Sequence, residues 1–371
     1  MKFRSLGKTG LEVSVVGLGT EYLNKQPRAI VESVVREAIA NGVNYFDLVF
    51  SLPEYLDNLS VGFQGQRDRI FMTGHLGSTE KNGRYAKSHS VKKCESVFLD
   101  LLSRLNTDYV DVLFLHNCDR PNAYDKIMKP KGLLELAQRL KQEGKARFIG
   151  FSGHTVATAR QAVETGEVDV LMFPLGLAGN AVPGKLDLLK TCGAYNVGVV
   201  AMKPFAGGKL LNKGRTINVA RYQMGGDPIK VKKSAPITPL RCLAYALAQP
   251  SVSTTVPGCS SVDQLHEALA YSEASDEEKD FSEIVTDFQQ YISGECVYCN
   301  HCQPCPEVID IGQTFRLLDM ARPTPTKQVR AEYAAMAIKA SSCTECGVCE
   351  TRCPFGVNVT GKMQEAVDLF E

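Results

Sequence analysis

The chain has 371 residues, a hydrophobic content of 44% and a formal net charge of +1. This length and apolar content suit a large buried core with room for a second, smaller domain. The near-zero charge argues against a nucleic-acid surface, and no apolar run approaches the roughly 20 residues that span a membrane. The first residues lack the apolar segment of a signal peptide, so we expect a cytoplasmic protein.

The chain begins with a predicted hairpin, whose strands are residues 2–5 and 12–14 and whose turn contains glycines. After the hairpin, short apolar runs alternate with amphipathic stretches. Near-continuous apolar runs are typical of strands buried on both faces of a parallel sheet. The predicted strands are residues 15–17, 44–47, 70–73, 110–115, 148–152, 168–173, 197–202 and 253–256.

Amphipathic helices are predicted between these strands. They include residues 29–40, 91–105, 133–143, 155–164, 185–191, 239–248 and 262–271. Strands that alternate with helices in this way predict an α/β fold, a (β/α)8 barrel, over residues 1–274. A doubly wound open sheet is the alternative, although no G-x-G-x-x-G motif follows an early strand.

Three segments lie outside this alternation. Residues 211–237 are a long, basic, glycine-containing loop, which we place over the carboxyl ends of the barrel strands. Residues 276–291 are predicted to form a charged helix that leads into a cysteine-rich region. A further helix is predicted over residues 329–339, inside that region.

Eight of the 13 cysteines lie near the end of the chain, in two runs that each close on Cys-Pro. The second run reads C-x2-C-x2-C-x3-C-P, the spacing of bacterial two-cluster ferredoxins, and the first is one residue shorter before its last cysteine. Residues 275–371 are therefore predicted to form an α-helical, ferredoxin-like domain with two [4Fe–4S] clusters. Zinc is the alternative, because paired C-x-x-C elements also bind zinc.

In modules with this spacing the fourth cysteine of each run leaves in a new direction and ligates the other cluster. The predicted ligand sets are therefore crossed. One cluster is assigned to Cys296, Cys299, Cys302 and Cys353, and the other to Cys343, Cys346, Cys349 and Cys305. The remaining cysteines are scattered singly and are predicted to be reduced.

Several motifs of the barrel region resemble those of the aldo-keto reductases. They lie at residues 3–14, 42–47, 109–111, 115–116, 147–154 and 256–258. The resemblance covers residues 1–272, and with its cysteine-rich tail the chain is similar to the ferredoxin-fused branch of that superfamily. The resemblance implies a barrel that reduces carbonyls with NADPH, using an Asp, Tyr, Lys and His tetrad.

The tetrad carries over only in part. Asp47 and His116 match the family's aspartate and histidine, whereas Leu52 stands in the place of the tyrosine and His75 in that of the lysine. We therefore predict that Asp47, His75 and His116 form a replacement acid–base centre. An imidazole titrates near about 6.5 and needs no lysine to work at neutral pH. The alternatives are that His75 only fills space and that Asp47 and His116 are inherited without function.

Two tyrosines in the flanking loops, Tyr55 and Tyr85, are candidates for a displaced hydroxyl group. An ordinary aromatic role in the loop is the alternative for each.

The family's cofactor positions are also partly lost. Met172, Leu175, Gly176 and Ala268 stand where the family usually places cofactor contacts. The residues that remain compatible with nicotinamide or phosphate are Ser152, Lys203, Gly258, Ser260 and Gln264. The chain thus keeps part of an NADP(H) site, and binding of that cofactor stays open.

These features together predict an oxidoreductase that acts on a small carbonyl-type or hydroxyl-type substrate. Two clusters carry electrons one at a time, so we expect one-electron transfer through them and exchange with a redox partner such as a ferredoxin or a flavoprotein. One alternative is an NADPH-dependent reductase with rewired acid–base residues and structural clusters. Another is a non-catalytic electron-transfer or binding protein.

Overall fold

A computed structural model describes residues 1–177, 184–211, 236–282, 296, 302, 304–321, 325, 327–353 and 356–371. The chain forms two compact units. The first consists of Met1–Leu177, Gly184–Phe205 and Ile237–Phe281, and the second contains Ser282–Glu371. The domain boundary after residue 274 stays a prediction. No helix of the described ranges is long and apolar enough to cross a membrane.

Twelve strands occur among the described residues, all of them in the first unit. In chain order they are β1 (Phe3–Ser5), β2 (Glu12–Ser14), β3 (Leu18–Gly19), β4 (Tyr45–Asp47), β5 (Phe71–Leu76), β6 (Ser78–Lys81), β7 (Arg84–Lys87), β8 (Val110–His116), β9 (Ala146–Ser152), β10 (Val170–Pro174), β11 (Gly198–Met202) and β12 (Val252–Val256).

Eight of these strands form one parallel sheet, in the order β12-β11-β10-β9-β8-β5-β4-β3. Its two edges are joined by hydrogen bonds from Gly17 N to Thr255 O at 2.8 Å and from Thr255 N to Val15 O at 3.0 Å. The predicted barrel is therefore confirmed, and the open sheet is wrong. The first barrel strand begins at Leu18, later than predicted. The predicted residues 15–17 instead form the isolated hydrogen bonds to Thr255 that close the barrel.

Ten helices of the first unit are described. They are α1 (Arg28–Ala40), α2 (Pro53–Phe63), α3 (Val91–Arg104), α4 (Pro121–Met128), α5 (Leu133–Gln142), α6 (Val156–Glu164), α7 (Lys185–Ala194), α8 (Pro239–Leu247), α9 (Val262–Leu269) and α10 (Asp276–Lys279). The predicted helices between the strands are confirmed within a few residues at their ends. The helix predicted over residues 276–291 is interrupted after Lys279, because Asp280 has an extended backbone with ψ of 118°; residues 283–291 of the prediction lie outside the described ranges.

Apolar side chains cover both faces of the barrel sheet. Phe114, Val170 and Val200 belong to an interior cluster that also includes Leu6 and Leu11 of the N-terminal hairpin. A second, larger cluster packs the outer faces of the strands against the helices. Burial on both faces explains why the strands read as near-continuous apolar runs.

A second hairpin, β6–β7, follows β5 directly and was not predicted. Its two-residue turn is Asn82-Gly83, and both residues have positive φ, 55° and 73°. This is the turn geometry that matches the twist of a two-stranded ribbon, and Asn-Gly is its preferred sequence. The hairpin stands at the carboxyl end of β5, beside the ends of the neighbouring barrel strands.

The second unit has four described helices. They are α11 (Ile311–Met320), α12 (Lys327–Ala334), α13 (Val348–Thr351) and α14 (Val359–Phe370). The helix predicted over residues 329–339 ends earlier, at Ala334. The Lys339 ammonium donates to the carbonyl oxygens of Tyr333 and Ala334 at 2.7 and 2.6 Å, which satisfies acceptors that the helix leaves open. Most of the predicted loop at 211–237 lies outside the described residues.

Candidate functional site

Three adjacent strand ends carry the predicted acid–base residues. Asp47 ends β4, His75 lies near the end of β5, and His116 ends β8. The strands β4, β5 and β8 are parallel neighbours, so their carboxyl ends meet at one edge of the barrel. Active sites of such barrels lie at this face.

Asp47 and His75 form a buried pair. The Nε2 atom of His75 lies 2.8 Å from Oδ1 of Asp47, and the His75 side chain is 1% exposed. Thr73 lies two residues before His75, hence on the same face of β5, and its hydroxyl donates to the same Asp47 oxygen at 2.8 Å. Because an ionised carboxylate can only accept hydrogen bonds, His75 donates from Nε2 and its ring orientation is fixed.

His116 lies beside this pair and contacts a tyrosine. Its ring centroid is 5.2 Å from that of His75 in an edge-on arrangement, and its Nε2 atom lies 2.8 Å from the hydroxyl of Tyr85. Burial, followed by the neighbouring His75, holds the pKa of His116 well below its usual value. His116 is therefore a neutral imidazole at physiological pH.

Tyr85 is delivered by strand β7 of the unpredicted hairpin. Its ring packs edge-on against Phe50 with centroids 5.2 Å apart. Burial, together with Asp119, raises the pKa of its phenol, so the hydroxyl keeps its proton at neutral pH. A protonated phenol on a neutral imidazole is an arrangement that can pass a proton to an oxygen atom at the barrel mouth.

The two candidate tyrosines thus differ in their surroundings. Tyr85 reaches His116, whereas Tyr55 is buried in α2 and its hydroxyl contacts the hydroxyl of Thr20. Leu52, in the place of the family's tyrosine, is buried in the hydrophobic core. The sequence signal that could have singled out Tyr85 is the Asn82-Gly83 turn, which predicts a hairpin and so a fixed position for Tyr85.

The predicted convergence of Asp47, His75 and His116 matches the geometry, but their depths differ. His75 is in contact with Asp47 and stacks on Phe114 with ring centroids 5.0 Å apart. Its Nδ1 atom and that of His116 are buried without a hydrogen-bond partner in the described part of the chain. His75 is the more deeply buried of the two histidines, whereas His116 and Tyr85 are both partly buried.

The residues predicted to contact NADP(H) are partly engaged with the protein itself. The Nζ atom of Lys203 lies 2.9 Å from Nε2 of His154. Ser260 donates to Oε1 of Gln264 from both its backbone and its hydroxyl, at 2.9 and 3.0 Å. A side chain at Gly258 would collide with the ring of Tyr22.

The substituted positions also offer little to a nicotinamide cofactor. Met172 belongs to the apolar interior of the barrel and Ala268 to its outer core, and both are buried. Ser152 is buried at the end of β9, where its backbone pairs with that of His116. These residues fit a dinucleotide less well than the family's polar set would.

Four cysteines of the second unit surround one cavity. Cys305 of the first run lines it together with Cys343, Cys346 and Cys349 of the second run. Apolar side chains, among them those of Ile309, Ile311 and Met363, complete the lining. These four cysteines are the predicted crossed set, and four cysteine sulfurs are the donor set of an iron–sulfur cluster; their assignment as its ligands stays a prediction.

The other predicted ligand set is described only in part. Cys296, Cys302 and Cys353 lie among the described residues, and Cys299 lies outside them. The assignment of these four cysteines to one cluster stays a prediction.

Comparison with known proteins identifies the two parts of the chain. Residues 15–286 match the aldo/keto reductase family, and residues 292–357 match a 4Fe-4S dicluster domain. The chain is 31% identical over 291 residues to L-galactose dehydrogenase from Arabidopsis thaliana, an alignment that covers 73% of this chain and 88% of that protein. It is 26% identical over 291 residues to the uncharacterized oxidoreductase YqkF from Bacillus subtilis, with 74% and 92% covered.

Among solved structures, the chain is similar in fold to aldo-keto reductase AKR11C1 from Bacillus halodurans. The TM-score is 0.60 at 23% identity, and the match covers 78% of this chain and 96% of that one. The dicluster match favours iron–sulfur clusters over zinc. The barrel, the retained strand-end residues and the cysteine-rich tail thus agree with one assignment: the chain is an oxidoreductase of the aldo/keto reductase family with a C-terminal 4Fe-4S dicluster domain.

Proposed function

We propose that the chain interconverts a small carbonyl compound and its alcohol at the barrel mouth, with Tyr85 and His116 handling the proton and electrons supplied singly through two [4Fe–4S] clusters. The observation that carries this proposal is the 2.8 Å contact between the Tyr85 hydroxyl and Nε2 of His116. It restores a phenol beside the inherited histidine, although Leu52 replaces the family's tyrosine.

Tyr85 is the proton donor in this proposal. Carbonyl reduction needs a donor within hydrogen-bond reach of the oxygen on which negative charge develops. The raised pKa of Tyr85 keeps the phenol protonated until the substrate oxygen becomes basic. His116, neutral because its pKa is lowered by burial, then stabilises the phenolate by donating a hydrogen bond from Nε2, and solvent returns the proton to Tyr85.

Asp47 and His75 act as positioning residues. The Asp47 carboxylate accepts a hydrogen bond from the His75 ring and fixes its orientation. The ring of His75 lies edge-on to that of His116. With its side chain 1% exposed, His75 is too deep to touch a substrate. It holds His116 in place and, by its proximity, helps to keep His116 neutral.

The C-terminal cysteines hold the electron-carrying groups. Cys305, Cys343, Cys346 and Cys349 would hold one cluster, and Cys296, Cys299, Cys302 and Cys353 the other. Such clusters supply electrons one at a time. Reduction of a carbonyl then consumes two electrons and two protons, and a ferredoxin or a flavoprotein serves as the external electron donor.

Replacement of Tyr85 by phenylalanine tests the proposal. Anaerobic turnover of a panel of aldehydes and ketones with reduced viologen should fall by about 10²- to 10⁴-fold in Y85F, the usual worth of a general acid. Y195F is the matched control, because Tyr195 is an exposed residue at the end of α7. Equal turnover by Y85F and the unmodified protein would contradict the role of Tyr85.

A second candidate function is a nicotinamide-dependent dehydrogenase that acts on a sugar. Its support is the 31% identity to a protein named L-galactose dehydrogenase. Calorimetric titration with NADPH and NADH separates the two candidates. Because Met172 and Ala268 are buried and apolar, we expect dissociation constants no tighter than tens of micromolar, about 6 kcal/mol of binding free energy. Sub-micromolar binding would favour the second candidate.

A further inference from the structure

One hydrogen bond links the two residues that precede the last cysteines of the two runs. The Nη1 atom of Arg352 donates a hydrogen bond to the carbonyl oxygen of Pro304 at 2.8 Å, across 48 residues of sequence. Arg352 directly precedes Cys353, and Pro304 directly precedes Cys305. These are the two cysteines that cross between the predicted clusters.

The backbone of Arg352 is continuous with a helix that contributes a cysteine to the cavity. Arg352 caps the carboxyl end of α13, and its N–H donates to the carbonyl oxygen of Glu350. The same helix carries Cys349, which lines the cavity together with Cys305. Arg352 is thus attached by its backbone to one side of the cavity and by its side chain to the chain segment that brings Cys305 from the other side.

We propose that Arg352 positions the crossed cysteines and that its guanidinium charge raises the reduction potential of the cluster held by Cys305. The proposal rests on the ligand sets given under the proposed function. Reduction adds a negative charge to a cluster, and a nearby cation stabilises the more negative state. Arg352 is exposed, so salt should screen its effect, with a Debye length of about 10 Å at 0.1 M.

Two substitutions separate position from charge. R352Q keeps an amide donor for the Pro304 carbonyl but removes the charge, whereas R352K keeps the charge on a single flexible donor. We expect R352Q to retain iron and to shift the potential of one of the two clusters to more negative values in an anaerobic potentiometric titration. R352K should shift it less. The difference between R352Q and the unmodified protein should shrink as ionic strength rises.

R330Q is the matched control. Arg330 is an exposed arginine of the same unit whose Nη1 atom donates to a backbone carbonyl, that of Leu369, at 3.2 Å. Neither Arg330 nor Leu369 adjoins a cysteine in the sequence, so R330Q should leave both potentials unchanged.

The possible outcomes decide each part of the proposal. Loss of one cluster in R352Q, which keeps a donor for the Pro304 carbonyl, would contradict the separation of position from charge and overturn the claim about the potential. Identical potentials in R352Q, R352K and the unmodified protein, with full iron content, would overturn the proposal while leaving the ligand sets intact. An unmodified protein with far fewer than about eight irons per chain, the content of two such clusters, would instead overturn the ligand sets.

Discussion

His116 lies between two polar side chains. A tyrosine from the β6–β7 hairpin and a histidine on the adjacent strand flank it, at 2.8 Å between the Tyr85 hydroxyl and Nε2 and at 5.2 Å between the ring centroids of His116 and His75. Burial keeps its pKa low and that of Tyr85 high, so both groups are neutral. The phenol of Tyr85 thus stays protonated beside His116, and position 75 is a histidine.

The low pKa of His116 predicts a specific loss of stability in mild acid. The unfolded histidine takes up a proton near about pH 6.5, while the folded one does not. Above about pH 6.5 both states hold a neutral His116, and the free energy of unfolding is unaffected by this group. As the pH falls from there toward the lower pKa of the folded state, only the unfolded state takes up the proton, so the free energy of unfolding decreases. Between about pH 7.5 and 5.5, the Tm of the unmodified protein should fall more than that of H116Q.

The control for this measurement is H266Q. His266 lies exposed on α9, where its Nε2 atom is 2.8 Å from Oε1 of Glu37. Its replacement should leave the acid-induced decrease in Tm close to that of the unmodified protein. An equal decrease in H116Q and in the unmodified protein would contradict the assignment of a buried, neutral His116.

At the level of elements, the β6–β7 hairpin places Tyr85 beside His116. Its register pairs Glu80 with Tyr85 across a two-residue turn. The turn needs positive φ at Gly83, 73°, and no atom lies within 4 Å of a Cβ added there. A side chain at position 83 therefore meets no steric obstacle and acts only through the backbone conformation.

Substitution of Gly83 should displace Tyr85 without unfolding the barrel. G83V places a β-branched residue in the left-handed region, which costs about 1–2 kcal/mol, and should lower turnover while the Tm of the protein changes little. G83N, which tolerates positive φ, is the matched control and should keep most of the activity. Full activity in G83V would show that the hairpin turn does not hold Tyr85.

The sequence predicts the barrel strands well because their burial on both faces leaves a clear apolar signal. The apolar pattern does not single out α2 and α4. Both begin with a proline in the first helical turn, Pro53 and Pro121, which is a sequence signal for a helix start. Asp47, His75 and His116 could be singled out from the resemblance to the family's tetrad together with their places at strand ends. The Tyr85–His116 contact could not, because it depends on the hairpin register and on packing against Phe50.

At the scale of the whole molecule, two units of different chemistry share one chain. The barrel belongs to a family typically associated with a hydride donor, yet it keeps few polar contacts for one. In the second unit, four cysteines line one small cavity, and residues 292–357 match a 4Fe-4S dicluster domain. If electrons arrive singly, both hydrogens that a carbonyl gains must come from protons, whereas a nicotinamide would supply one of them as hydride.

The origin of the hydrogen on the product carbon therefore tests the central claim most directly. An aldehyde of the turnover panel is reduced anaerobically in D2O with reduced viologen, and separately in H2O with NADPH deuterated at its transferable position. Mass spectrometry then locates the label. The account predicts deuterium on the alcohol carbon from D2O and none from the labelled NADPH. Deuterium transferred from NADPH to that carbon, at a rate no lower than that of the viologen reaction, would contradict it.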